Sequence, residues 1–130
     1  MNALVFDDDL IAELDRSVGA AGRNALLSEL ADWTEKIGDR LHLLIGAGDL
    51  KGARQEAHLL RNATARVGAF RLIDCLVEVE LYAGVQLTEA VFASKLAGAV
   101  EEFVQHARLF AGQSFAINSH ATLSVVSPPP

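Results

Sequence analysis

One histidine in this chain stands where nucleophilic chemistry is possible. The run Glu56-Ala57-His58-Leu59-Leu60-Arg61-Asn62-Ala63-Thr64-Ala65-Arg66-Val67-Gly68-Ala69 puts an imidazole one helical turn before a guanidinium. Imidazoles, with a reference pKa of about 6.5, are mostly uncharged at neutral pH and then need no separate base to attack. A guanidinium three residues on can reach negative charge beside the imidazole from the same helix face. No separate nucleotide-binding machinery accompanies them: the chain has no glycine-rich phosphate loop, and its 130 residues leave no length for an ATP-binding domain.

A helix must present these groups. At about 100° per residue, Leu50, Ala53, Ala57, Leu60, Thr64 and Val67 fall on one stripe, which is the expected core face. His58 then points away from the core, and Lys51, Arg54, Arg61 and Asn62 share its side at spacings of three, four and seven. Leu59 lies off the stripe beside the histidine, either half-covered by a neighbouring helix or part of an apolar docking patch. Asp49 follows the breaker Gly46-Ala47-Gly48 and is placed to cap the helix, which should end near Val67-Gly68.

The rest of the chain repeats the helical period, and the expected class is all-α. A short first helix, capped near Asp8, carries Leu10, Ile11 and Leu14 inward, stops around Val18-Gly19 and should lie across the bundle as a lid. A long second helix over about Asn24 to Ile45 has Leu26, Leu30, Trp33, Ile37, Leu41 and Leu44 at alternating spacings of three and four, the mark of a bundle seam. The His58 helix comes third. A fourth, from Ala69 to about Ala83, presents Leu72, Leu76 and Val79 and ends at Gly84. A fifth, with Thr88 as N-cap, carries Phe92, Leu96, Ala99, Phe103, His106 and Phe110. Four long amphipathic helices on short connections make an antiparallel four-helix bundle over 1–112. Over 113–130 charge and periodicity fade and the chain closes on Pro128-Pro129-Pro130, so this segment reads as a non-helical, flexible tail.

Composition narrows the partners. Eleven basic against seventeen acidic residues give a net charge of −6, which disfavours nucleic acid or an anionic membrane surface and makes the cations around His58 stand out. The single cysteine, Cys75, cannot form an internal disulfide, no cluster has zinc-ligand spacing, and no metal site is expected. The N-terminus lacks a basic region followed by a long apolar core, and no apolar run reaches transmembrane length. These features suit a cytoplasmic monomer.

The His58 run resembles the phosphoacceptor helix of histidine-containing phosphotransfer (HPt) domains, whose usual pattern is Ala-His-x-Leu-Lys-Gly, then small residues, then Leu-Gly-Ala. The match extends to the long second helix ending in Arg40-Leu41, the Ala47-Gly48-Asp49-Leu50 break, the Val67-Gly68-Ala69 junction and the Arg71-Leu72 to Glu80-Leu81 helix. The resemblance implies a phosphorelay carrier in two-component signalling. His58 would accept a phosphoryl group from a receiver-domain aspartate and pass it to another, with Arg61 stabilising the phosphoryl group. Lys51, Arg54, Leu59, Asn62 and Ala65 would form the partner-binding surface. Response-regulator receivers and a hybrid histidine kinase are the implied partners; the divalent cation, Mg, would come with the receiver. Two positions depart from the pattern. Arg61 replaces the usual lysine, keeping the charge while adding a planar fork. Asn62 replaces the usual glycine one turn above the histidine, where it can crowd a docking receiver or hydrogen-bond the imidazole.

Two other classes fit the same residues. One is an HPt-like binding module that docks on a kinase or receiver and inhibits it, with Asn62 preventing transfer; the other is a structural helical bundle that assembles through its patch or tail. The remaining candidates have plainer readings. His42 sits one step off its seam, His106 is a hydrogen-bonded boundary residue and His120 belongs to the tail. Cys75 and Trp33 fill core, and Asp7-Asp8-Asp9 serves helix capping and dipole.

Overall fold

The computed structural model describes residues 5–82, 87 and 89–123, and of 113–123 the backbone alone. Among these residues there are four α-helices and no strand: α1 (Asp8–Gly46), α2 (Leu50–Thr64), α3 (Phe70–Leu81) and α4 (Ala90–Leu123), with a 3₁₀ turn at Ala65–Val67 continuing α2. The protein is an antiparallel four-helix bundle. Helix α1 packs on α2 and α4, and α3 closes the ring between α2 and α4. Cross-helix ion pairs mark each neighbouring pair: Arg40–Glu56 at 3.1 Å (α1–α2), Arg61–Glu80 at 2.6 Å (α2–α3), Lys95–Glu78 at 2.8 Å (α3–α4) and Arg108 to Asp32 and Glu35 at 2.8 and 3.0 Å (α1–α4).

Helix α1 contains the lid and the long second helix in one run, broken only at Gly19. Its φ of 79° and ψ of 169° are open to glycine and closed to other residues, so the chain turns there and resumes helix at once. The cap of the lid is Asp7, one residue before the expected Asp8: its carboxylate accepts from the backbone N–H of Asp9 at 2.9 Å and Leu10 at 3.3 Å. The lid seats on the bundle through Val5, Phe6 and Ile11, all buried. The Phe6 ring meets Phe103 and Phe110 edge-on, with centroids 5.7 and 6.2 Å away.

The seam of the long second helix keeps Leu30, Ile37 and Leu41 of the expected one and shifts by one step at the other positions. Leu27, Leu30, Ala31, Thr34, Ile37, Leu41 and Ile45 are buried, whereas Leu26, Trp33 and Leu44 are partly buried at its edge. Trp33 is therefore boundary packing and not core. A long helix facing two neighbours, α2 and α4, buries a broader face than a single stripe, and small side chains such as Ala31 fit its centre better than indole does. Cys75 does sit in the core, 2 % exposed.

On α4, Phe92, Leu96 and Phe103 are buried as expected, joined by Val104, Ala107 and Ala111. The helix continues past Gly112 to Leu123, so the segment read as a non-helical tail begins as helix. Its glycine and polar residues weaken helix propensity without forbidding it, and no proline intervenes before Pro128. Residues 124–130, the expected terminator Gly84 and the expected cap Thr88 lie outside the described residues. No described helix is long and apolar enough to cross a membrane.

Candidate functional site

The expected stripe of α2 is the observed one: Ala53, Ala57, Leu60, Thr64 and Val67 are buried and Leu50 packs at the margin. Thr64 is accommodated because its hydroxyl donates to the Leu60 carbonyl at 2.8 Å, one turn back. Asp49 caps the helix through the Gly52 N–H at 2.9 Å. With its core face so anchored, α2 holds His58 on the opposite side, 54 % exposed.

Two neighbours on α2 and one on α3 meet the imidazole. Arg61 Nη2 lies 3.2 Å from His58 Nδ1, and Asn62 Nδ2 lies 3.3 Å from Nε2. Glu80, arriving from α3, places Oε1 3.4 Å from Nδ1. Arg61 grips Glu80 with both arms of its fork, Nε donating to Oε2 at 2.6 Å and Nη2 to Oε1 at 3.1 Å. This pairing, with a smaller contribution from the His58 contact, holds the Glu80 carboxyl below its ordinary range, and the same hydrogen bond raises Arg61.

The hydrogen bonds tie the tautomer of His58 to the orientation of the Asn62 amide. With the amide nitrogen toward Nε2, Nε2 is the acceptor, and Nδ1 carries the proton and faces Glu80. Turning the amide over reverses both, and Nδ1 then accepts from Arg61. Only the first arrangement leaves a lone pair on the nitrogen remote from the Arg61–Glu80 pair. Asn62 is exposed, so its amide can move aside.

The expected docking residues separate. Lys51, Leu59 and His58 line one open depression of about 570 Å³ with Gln55, Glu56 and part of Arg54. Leu59 is 51 % exposed, so no neighbouring helix covers it. Ala65 is exposed farther along the face. Arg54, however, is half-buried, and its Nη2 donates to the Tyr82 carbonyl at 2.9 Å, capping the end of α3. Its charge serves the helix terminus first.

Glu80 is the member of the site that sequence reasoning missed. It is nineteen residues from Arg61 in sequence, and its own helix gives no sign of which neighbour it faces. Of the plainer readings, that of His106 holds: its Nδ1 donates to the Glu102 carbonyl at 2.8 Å. Side-chain detail at His120 lies outside the described residues. Among the described residues no group of three or more His, Cys, Asp or Glu is placed to hold a metal ion.

No family model, curated protein or solved structure matches this chain.

Proposed function

We propose that the protein is a phosphorelay carrier in which His58 Nε2 takes a phosphoryl group from the aspartyl phosphate of a receiver domain and returns it to another. The observation that carries the reading is the exposed imidazole whose Nδ1 faces Glu80 and Arg61, leaving Nε2 as the nitrogen an in-line donor can reach. In the forward step the Nε2 lone pair forms the N–P bond as the P–O bond to the aspartyl carboxylate breaks; the aspartate leaves as an anion and the Nδ1 proton stays on the ring. The acyl phosphate already holds the free energy, so no ATP site is needed. Arg61 supplies positive charge within reach of the phosphoryl oxygens, Leu59 and Lys51 offer the docking partner an apolar and a cationic contact, and the receiver brings its own Mg. A cytoplasmic setting follows from that partnership.

A second reading rests on Asn62. Its amide stands at Nε2, where the HPt pattern has glycine, and Arg61 is already engaged by Glu80. A module of this form docks on a receiver or kinase and inhibits it without taking the phosphoryl group.

Transfer from a panel of phosphorylated receiver domains separates the two. The carrier acquires acid-labile, alkali-stable phosphate that disappears in His58→Gln, and Asn62→Gly changes its rate only modestly. Binding without transfer, with transfer created by Asn62→Gly, establishes the inhibitory module instead. Neither binding nor labelling with any receiver refutes both and leaves a helical bundle with a structural role.

A further inference from the structure

The Arg61–Glu80 pair poses a problem for phosphoryl transfer that the structure also answers. A free guanidinium beside the nucleophile would be the simplest arrangement, yet here both arms are taken by a carboxylate that also stands next to the histidine. In the unphosphorylated protein the charges of Arg61 and Glu80 cancel locally.

Forming the N–P bond upsets this balance in two places at once. Three phosphoryl oxygens with close to two negative charges arrive at Nε2, and the ring, having given up its Nε2 lone pair while keeping the Nδ1 proton, becomes cationic. Arg61 Nη2 is already 3.2 Å from the ring, so rotation about its terminal side-chain torsions, without backbone movement, carries the fork toward the phosphoryl oxygens. A dianion with three acceptor oxygens attracts a guanidinium more strongly than a carboxylate does. Glu80, once released, still has Oε1 3.4 Å from Nδ1 and faces a ring that now carries positive charge. Its side chain is only 21 % exposed, which keeps the carboxylate at that position.

Resting on the carrier reading, we infer that Glu80 is a positioning residue that trades partners on phosphorylation: it holds Arg61 while His58 is free, and holds the Nδ1 proton of His58 once Arg61 has turned to the phosphoryl group. Every cation has an anionic partner in both states, Arg61 with Glu80 before, Arg61 with phosphoryl and the imidazolium with Glu80 after. The second pairing has a consequence for turnover. A ring protonated at Nδ1 is a better leaving group than a neutral one, so Glu80 keeps the N–P bond labile and the phosphoryl group ready to move on. Glu80 also competes with the phosphoryl group for Arg61. Both effects shorten the lifetime of the phosphorylated state.

Chemical phosphorylation with phosphoramidate tests this without any receiver; the N–P bond to His58 forms as the P–N bond to ammonia breaks. Glu80→Gln is isosteric and retains a carbonyl oxygen that can accept from Nδ1, but removes the charge. Wild-type protein, Glu80→Gln and His58→Gln are labelled, the phosphohistidine signal is followed by ³¹P NMR across pH, and the Arg61 Nε–H resonance is followed by ¹⁵N NMR. The expected result is a phosphohistidine about three- to tenfold longer-lived in Glu80→Gln near neutral pH, a factor in the range of one to two modest charge interactions. The two proteins should converge at alkaline pH, where the ring proton is lost from both. The Arg61 resonance should shift on labelling of wild-type protein and already lie near its shifted position in unlabelled Glu80→Gln. Equal lifetimes at every pH, or an Arg61 resonance unmoved by labelling, overturn the partner trade while leaving His58 as phosphoacceptor. Labelling at His58 by phosphoramidate but by no receiver overturns the carrier reading and leaves the trade standing; failure of phosphoramidate to label His58 overturns both.

Discussion

Replacing Gly68 by alanine should release the lid from the bundle. Gly68 follows the 3₁₀ turn at φ 65° and ψ 45°, the left-handed region, where an L side chain costs about 1–2 kcal/mol. A Cβ built there would meet the Asp7 Cβ at 2.4 Å, the Asp7 backbone nitrogen at 3.1 Å and Leu10 Cδ1 at 3.2 Å. Relieving the first contact requires Asp7 to retreat by roughly 1 Å to reach ordinary van der Waals separation. That retreat breaks the 2.9 Å hydrogen bond from the Asp7 N–H to the Val67 carbonyl, worth about 1 kcal/mol net. The sum is a loss of about 2–3 kcal/mol, a large part of the stability of an ordinary domain. Urea unfolding followed by circular dichroism measures it. The steric part can be isolated, because Asp7→Gly removes the clashing Cβ and a glycine N-cap costs only a few tenths of a kcal/mol. In that background Gly68→Ala should cost about 1 kcal/mol less than in the wild type. A loss below about 1 kcal/mol for the single variant, or no coupling in the cycle, would refute the claim that Gly68 is required by the approach of the lid.

Two further outcomes follow from the packing and the site. Phe103→Ala removes a ring that is 1 % exposed and packed edge-on to Phe6, and should destabilise the bundle by about 3–5 kcal/mol in the same unfolding assay, with early exchange of the lid amides. Because Arg61 first, and His58 to a lesser degree, hold the Glu80 carboxyl below its ordinary value of 4.5, the contribution of Glu80 is fully present above that pH and is lost as pH falls through its lowered value in the folded protein. Stability measured from pH 6 down to pH 3 should therefore fall more steeply in wild type than in Glu80→Gln; parallel curves would show that the pair adds nothing to folding.

The core face of α2, its cap at Asp49 and the exposure of His58 were legible in the sequence because each depends on spacing within one helix or on a capping side chain a few residues away. So were the all-α class and the position of the lid break, since Gly19 and the Gly46-Ala47-Gly48-Asp49 run interrupt otherwise unbroken helical periods. Burial by two neighbours at once could not be read from one period, which is why the seam of α1 shifted to Leu27, Ala31 and Thr34 and left Trp33 at its edge. Tertiary structure also decided which charges act together. The turn at Gly68 and the order of the bundle bring Glu80 to Arg61 and His58, and Tyr82 to Arg54, across separations that local spacing does not encode. A helix displays a histidine by its own geometry; the carboxylate that stands beside it is chosen by the packing of another.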